Sequence, residues 1–66
     1  MGEALRITLA AARVNAGLTQ GQAAEALHIS KVTLANWEKY KTLPSLEKAR
    51  QLSDLYKIPL DNIFLP

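Results

Sequence analysis

Apolar residues recur at helical spacing along most of the chain and nowhere alternate like a half-buried strand. Leu5, Leu9, Ala12 and Ala16 fall on one stripe of a first helix expected over residues 3–16, and Gly17 supplies a left-handed residue to end it. Ile7 and Val14 fall on the other side of that helix, where isolated exposed apolar residues are ordinary. Thr19 stands three residues before Gln22, the spacing of a capping box, and so opens a second helix. Its buried side is Ala23, Ala24 and Leu27, and the small alanines predict that another helix crosses close by. Gly21 lowers the intrinsic helix preference, so this segment depends on packing. His28, Ile29 and Ser30 form a turn. Ser30 caps a third helix that runs to about Lys39, with Leu34 and Trp37 inward.

Leu43 and Pro44 interrupt the pattern, and Ser45 opens a fourth helix with Glu47 in its first turn, where an acid is favoured. Leu46, Ala49, Leu52 and Leu55 make the expected inner stripe, and Pro59 closes the region beyond it. Residues 60–66 read as a short fifth helix that returns Leu60, Ile63 and Phe64 to the core. The expected fold is all-α, five helices in a single domain over residues 1–66, without linker or repeat. The second and third segments are joined too briefly for long antiparallel helices. A steep crossing, the helix-turn-helix geometry, satisfies that connection. It requires a small residue at the crossing, supplied by Ala24, and apolar residues at Ala23, Leu27, Ile29, Leu34 and Trp37.

Composition narrows the chemistry. The 66 residues include no cysteine and one histidine, His28, which excludes a disulfide framework, a thiolate site and histidine metal clusters. No nucleophile–base pair or phosphate-cradling glycine loop is present, so neither catalysis nor a cofactor is expected. A chain this short without staples is expected to be a Leu- and Ala-rich bundle, reinforced by dimerisation. No apolar run is long enough to span a membrane and the N-terminus lacks signal-peptide features, so a cytoplasmic protein is expected. The net charge of +2 decides little. Its distribution says more: Lys31, Lys39 and Lys41 bracket the third helix, opposed there only by Glu38, a pattern compatible with a polyanionic partner.

Gly17–Gln20 (GLTQ), Ala23–Leu27 (AAEAL), Ile29-Ser30, Thr33 and Trp37–Lys39 (WEK), with residues 43–64 downstream, resemble the phage-repressor (Cro/CI, XRE) helix-turn-helix family and its lambda-repressor-like domain. The resemblance covers essentially the whole chain. That family usually has glycine where this chain has His28, Tyr40 and Lys57, at positions that often need a positive φ, so locally reshaped turns are expected. The resemblance implies a sequence-specific double-stranded DNA-binding transcriptional regulator, a repressor, of bacterial or phage origin, that inserts its third helix into the major groove.

With Leu34 and Trp37 inward, helical geometry turns Val32, Ala35, Asn36 and Lys39 outward, with Lys31 at the helix start. The resemblance implies base contacts by Lys31, Val32, Ala35 and Asn36. Lysine suits guanine acceptors, asparagine adenine, and valine and alanine thymine methyls. Phosphate contacts are implied for Gln20, Thr33, Lys39 and Lys41, and a structural ion pair for Arg13 and Glu38. One recognition helix reads few base pairs, so a homodimer on a palindromic operator is expected, with residues 62–66 and the nearby loop as its seam. No small-molecule effector is expected for a chain of this length. The alternative is a protein-interaction module of the same fold, antitoxin-like or a co-regulator, contacting its partner through Ile7 and Val14.

Overall fold

Among the described residues, each α-helix begins on a hydroxyl side chain and is closed by a left-handed residue at or just after its C-cap. The computed structural model describes residues 6–66, with helices α1 (Leu9–Asn15), α2 (Gln20–Leu27), α3 (Lys31–Glu38) and α4 (Leu46–Tyr56) followed by a single 3₁₀ turn, Leu60–Asn62. The hydroxyls of Thr8, Thr19, Ser30 and Ser45 accept from the backbone N–H groups of Ala11, Gln22, Thr33 and Lys48 at 3.1, 3.1, 3.0 and 3.1 Å. Such caps satisfy donors that a helix leaves without intrahelical partners. In α2 the box is reciprocal, because Thr19 N–H donates to the Gln22 side chain at 2.9 Å.

At the other ends, Gly17, His28, Tyr40 and Lys57 adopt φ of 78°, 57°, 59° and 57°. In each case the next residue's N–H reaches back five positions, Leu18 to Arg13, Ile29 to Ala24, Lys41 to Asn36 and Ile58 to Ser53, at 3.0–3.2 Å. This is the Schellman arrangement. Leu18, Ile29 and Ile58 then fold onto the core as half-buried contacts. The three positions where the resemblance implied glycine therefore keep the left-handed backbone without it.

The core gathers Leu9, Ala12, Ala23, Ala24, Leu27, Leu34, Trp37, Leu52, Tyr56 and Ile63, with Leu9, Leu34 and Leu52 fully enclosed. Alanine at 12, 23 and 24 lets the helices around α2 approach closely, as its small side chain requires. The C-terminal end of α2 receives a cation: Lys48 of α4 donates from Nζ to the Leu27 carbonyl at 3.0 Å, complementing the helix dipole.

Several expectations are corrected. The first helix starts at Leu9, because Thr8, itself β-branched and extended, caps it. Ile7 donates to the Asn62 carbonyl at 2.9 Å and accepts from Phe64 N–H at 2.8 Å, forming a parallel bridge with Ile63. It packs against the core instead of lying on an outer helix face. Leu5 and the expected helical residues before it lie outside the described residues. Ala16 is exposed because it sits at the C-cap, past the last helical turn. In place of the fifth helix there is the 3₁₀ turn, followed by extended backbone at Ile63. Phe64 is exposed, its ring edge-on to Tyr40 with centroids 5.5 Å apart. The buried stripe of α4 is Ala49, Leu52 and Tyr56. Leu46 and Leu55 each lie about 90° from its centre on a helical wheel, so Leu46 is exposed and Leu55 half-buried.

Tyr40 does what no glycine does. Its hydroxyl accepts from Leu9 N–H at 3.2 Å and donates to the Phe64 carbonyl at 2.9 Å. Lys57 is exposed, and among the described residues its side chain forms neither a hydrogen bond nor an ion pair that would offset its backbone strain. Lys57→Gly is therefore expected to stabilise the fold by about 0.5–1 kcal/mol, the left-handed penalty less the added entropy of an unfolded glycine. Tyr40→Gly is expected to destabilise it by about 2 kcal/mol, since two hydrogen bonds and the ring contact go with the side chain. Urea denaturation of both variants checks the opposite signs.

Candidate nucleic-acid interface

The face of α3 opposite the core carries Val32, which is 69% exposed, while Leu34 and Trp37 on the inner side of the same helix are 0% and 6% exposed. Lys31 and Lys39 are exposed beside Val32, and Ala35 and Asn36 are half-buried at the margin of that face. The Ser30 cap fixes the start of this helix and also engages Thr33, with the two hydroxyl oxygens 2.9 Å apart. Tyr40 turns the chain out of α3, so that Lys39 and Lys41 stand in solvent on either side of it.

Across the turn, α2 begins at Gln20. The side-chain amide of Gln20 donates from Nε2 to Glu38 Oε1 at 2.9 Å. Glu38 also receives Arg13, whose Nε lies 2.7 Å from Oε2 and whose Nη2 lies 3.3 Å from Oε1. Nη1 of the same guanidinium donates to the Leu18 carbonyl at 2.9 Å. The two side chains are 15% and 6% exposed, so the pair is largely withdrawn from water. Its hydrogen bond to Glu38 raises the Arg13 pKa above the ordinary arginine value, against an opposing effect of burial.

This pairing changes the electrostatics of α3. Glu38 is the one acid on the helix, and its charge is matched by a cation from α1. Lys31, Lys39 and Lys41 thus have no ion-pair partner among the described residues. The first turns of α2 and α3 also lack acids, which leaves the positive ends of both helix dipoles uncompensated.

The sequence-predicted residues fall into two groups. Lys31, Val32, Ala35 and Asn36 share one side of α3. Gln20, Thr33, Lys39 and Lys41 surround it at the start of α2 and at the two ends of α3. Two features have no signal in the sequence pattern. The Gln20–Glu38 hydrogen bond joins residues from different helices and has no local signature. Tyr56 occupies the core position expected for Leu55, a shift legible only once Ala49 and Leu52 are taken as the stripe. Of the two apolar residues expected at a partner surface, only Val14 is exposed, at 63%. A single such residue does not make an interface.

A family model described as helix-turn-helix matches residues 9–63. The chain belongs to the XRE-type helix-turn-helix family. The family is one of DNA-binding transcription regulators, and the α2–turn–α3 unit is the element for which it is named. The HTH-type transcriptional activator BcrR of Enterococcus faecalis is 31% identical over 51 residues, which make up 77% of this chain and 25% of that protein. The chain thus spans about a quarter of the length of the curated relative it matches. No solved structure matches. Among the described residues, no helix is long and apolar enough to cross a membrane.

Tyr56 supplies a test of the site's foundation. Its hydroxyl is buried without a hydrogen-bond partner. Burial, with the nearby Glu38 charge adding to it, pushes its pKa up to about 12. Below pH 10 the phenol is neutral in the folded and unfolded chains alike. Between pH 10 and 12 the unfolded chain loses the proton first, so stability falls through that window by on the order of 2–3 kcal/mol. Tyr56→Phe is expected to remove this part of the alkaline decline. At neutral pH it is expected to stabilise the fold by about 1 kcal/mol, because an unsatisfied hydroxyl leaves the core. Denaturation of both proteins across alkaline pH measures each effect.

Proposed function

We propose that the protein is a sequence-specific double-stranded DNA-binding transcriptional regulator that inserts α3 into the major groove. The observation that carries this reading is the helix-turn-helix family match over residues 9–63, whose α3 here presents Lys31, Val32 and Asn36 outward while its single acid is paired inward with Arg13. In that setting Val32 suits thymine methyls, and Lys31 and Asn36 suit base-edge acceptors. Lys31, Val32, Ala35 and Asn36 read bases, with Lys31 directed to guanine and Asn36 to adenine. Gln20, Thr33, Lys39 and Lys41 hold the flanking phosphates, and the uncompensated lysines supply long-range attraction.

One such helix covers few base pairs, and two copies on half-sites about one helical turn apart give the required discrimination. Leu43, Leu46 and Phe64 are 50%, 63% and 41% exposed and supply apolar surface for a homodimer on a palindromic operator. The regulator works in the cytoplasm, on the nucleoid. Occupancy of an operator suffices for repression, the outcome proposed here. The similar Enterococcus faecalis protein is named an activator, so a promoter–reporter assay decides the sign.

Selection from random duplexes is expected to recover a palindromic site bound with strong salt dependence; no enrichment by folded protein at moderate salt would overturn the reading. On the selected site, Asn36→Ala is expected to weaken binding by about 1–3 kcal/mol and to relax preference at one base pair per half-site. Lys41→Ala should weaken binding to all sequences alike and lower the salt slope by about 1 for each phosphate it no longer neutralises. Titrations at several salt concentrations separate the two signatures.

A further inference from the structure

Gln20 is the first residue of α2, and its surroundings differ from those of an ordinary surface glutamine. Thr19 and Gln22 lock its backbone through the reciprocal capping box. The side chain is then held by Glu38, at 2.9 Å. Glu38 is held in turn by Arg13, which also grips the Leu18 carbonyl just before the cap. The contacts close a ring: Arg13, Leu18, Thr19, Gln20, Glu38 and back to Arg13. An ionised carboxylate only accepts, so the amide must turn its nitrogen toward Glu38. One Nε2 hydrogen is thereby used and the other is left unclaimed by any protein acceptor, on a residue that is not buried. The Arg13 guanidinium offsets the carboxylate charge, so the ring carries no net repulsion for an approaching phosphate.

We propose that Glu38 is a positioning residue for DNA binding, which pre-orders the Gln20 amide with its free N–H ready for a backbone phosphate. The inference rests on the DNA-binding reading above and adds a role for a residue that touches no DNA. A flexible glutamine loses its rotamer freedom when it binds, whereas a side chain already fixed in the free protein does not. The Arg13–Glu38 pair therefore acts on affinity through Gln20, beyond its effect on folding.

The test is a double-mutant cycle on the selected operator. It uses wild type, Gln20→Ala, the joint change Arg13→Met with Glu38→Met, and all three together, each first shown to be folded by circular dichroism. Removing both charges at once leaves neither unpaired. With Gln20 present, loss of the pair is expected to weaken binding about 2- to 10-fold, the loss that follows from freeing one long side chain. With alanine at position 20 it is expected to change nothing. Equal weakening in both backgrounds overturns the proposal and leaves the pair purely structural. Nuclear magnetic resonance of the free wild type gives a second measurement that needs no variant: the Gln20 side-chain amide should be as ordered as the backbone. A mobile amide overturns the proposal even if the paired variant fails to fold. Ordered Gln20 in a protein that binds no duplex overturns the DNA reading itself, and this role with it.

Discussion

Glu38 sits on the last turn of α3 and accepts hydrogen bonds from Arg13 of α1 and Gln20 of α2, so one carboxylate fixes the relation of three helices. None of these helices is long enough to set its own direction. α1 has seven residues and α2 and α3 have eight each, lengths at which isolated helices are marginal in water. Leu9, Leu27, Leu34 and Trp37 pack them together around the alanines of the crossing. The bidentate guanidinium and the amide add directional contacts to that packing. A largely buried ion pair adds little net stability over an apolar pair of similar shape, yet removing one partner leaves a charge stranded. Its contribution here is orientation.

The same pair shapes the surface. Arg13 withdraws the single acid of α3 from the electrostatic balance of the outer face, and three lysines remain around Val32 and Asn36. Interior and exterior are therefore linked through one side chain. Beneath it lies Tyr56, whose buried hydroxyl is a local imperfection in an otherwise apolar core.

Legibility in the sequence follows the range of the interactions involved. Thr19, Ser30 and Ser45 are readable as caps because a hydroxyl acts on an N–H three residues away. Leu34 and Trp37 are readable because helical spacing alone orients them. The start of α1 is not, since the helical reading runs back past Ile7, whose backbone is captured by Asn62 and Phe64 at the far end of the chain. The last segment departs from its pattern for the same reason: Ile63 is apolar and helix-compatible, but its partner is Ile7. In α4, residues of similar hydrophobicity occupy neighbouring positions, and only three-dimensional packing selects Tyr56 over Leu55. In the candidate site, outward orientation on α3 is legible, whereas the Gln20–Glu38 contact depends on where two helices meet.

The pairing of Ile7 with Ile63 gives the protein a seam that ties its first described residues to its last. The amides of Ile7 and Phe64 are closed across that seam, and the amide of Leu9 is closed by Tyr40, whose hydroxyl also grips Phe64. These three groups, from opposite ends of the chain, share one latch. Tyr40 joins that latch from the end of α3, and Ile63 packs in the core with Leu34 and Trp37, so the two ends of the chain and the third helix are coupled through one set of contacts.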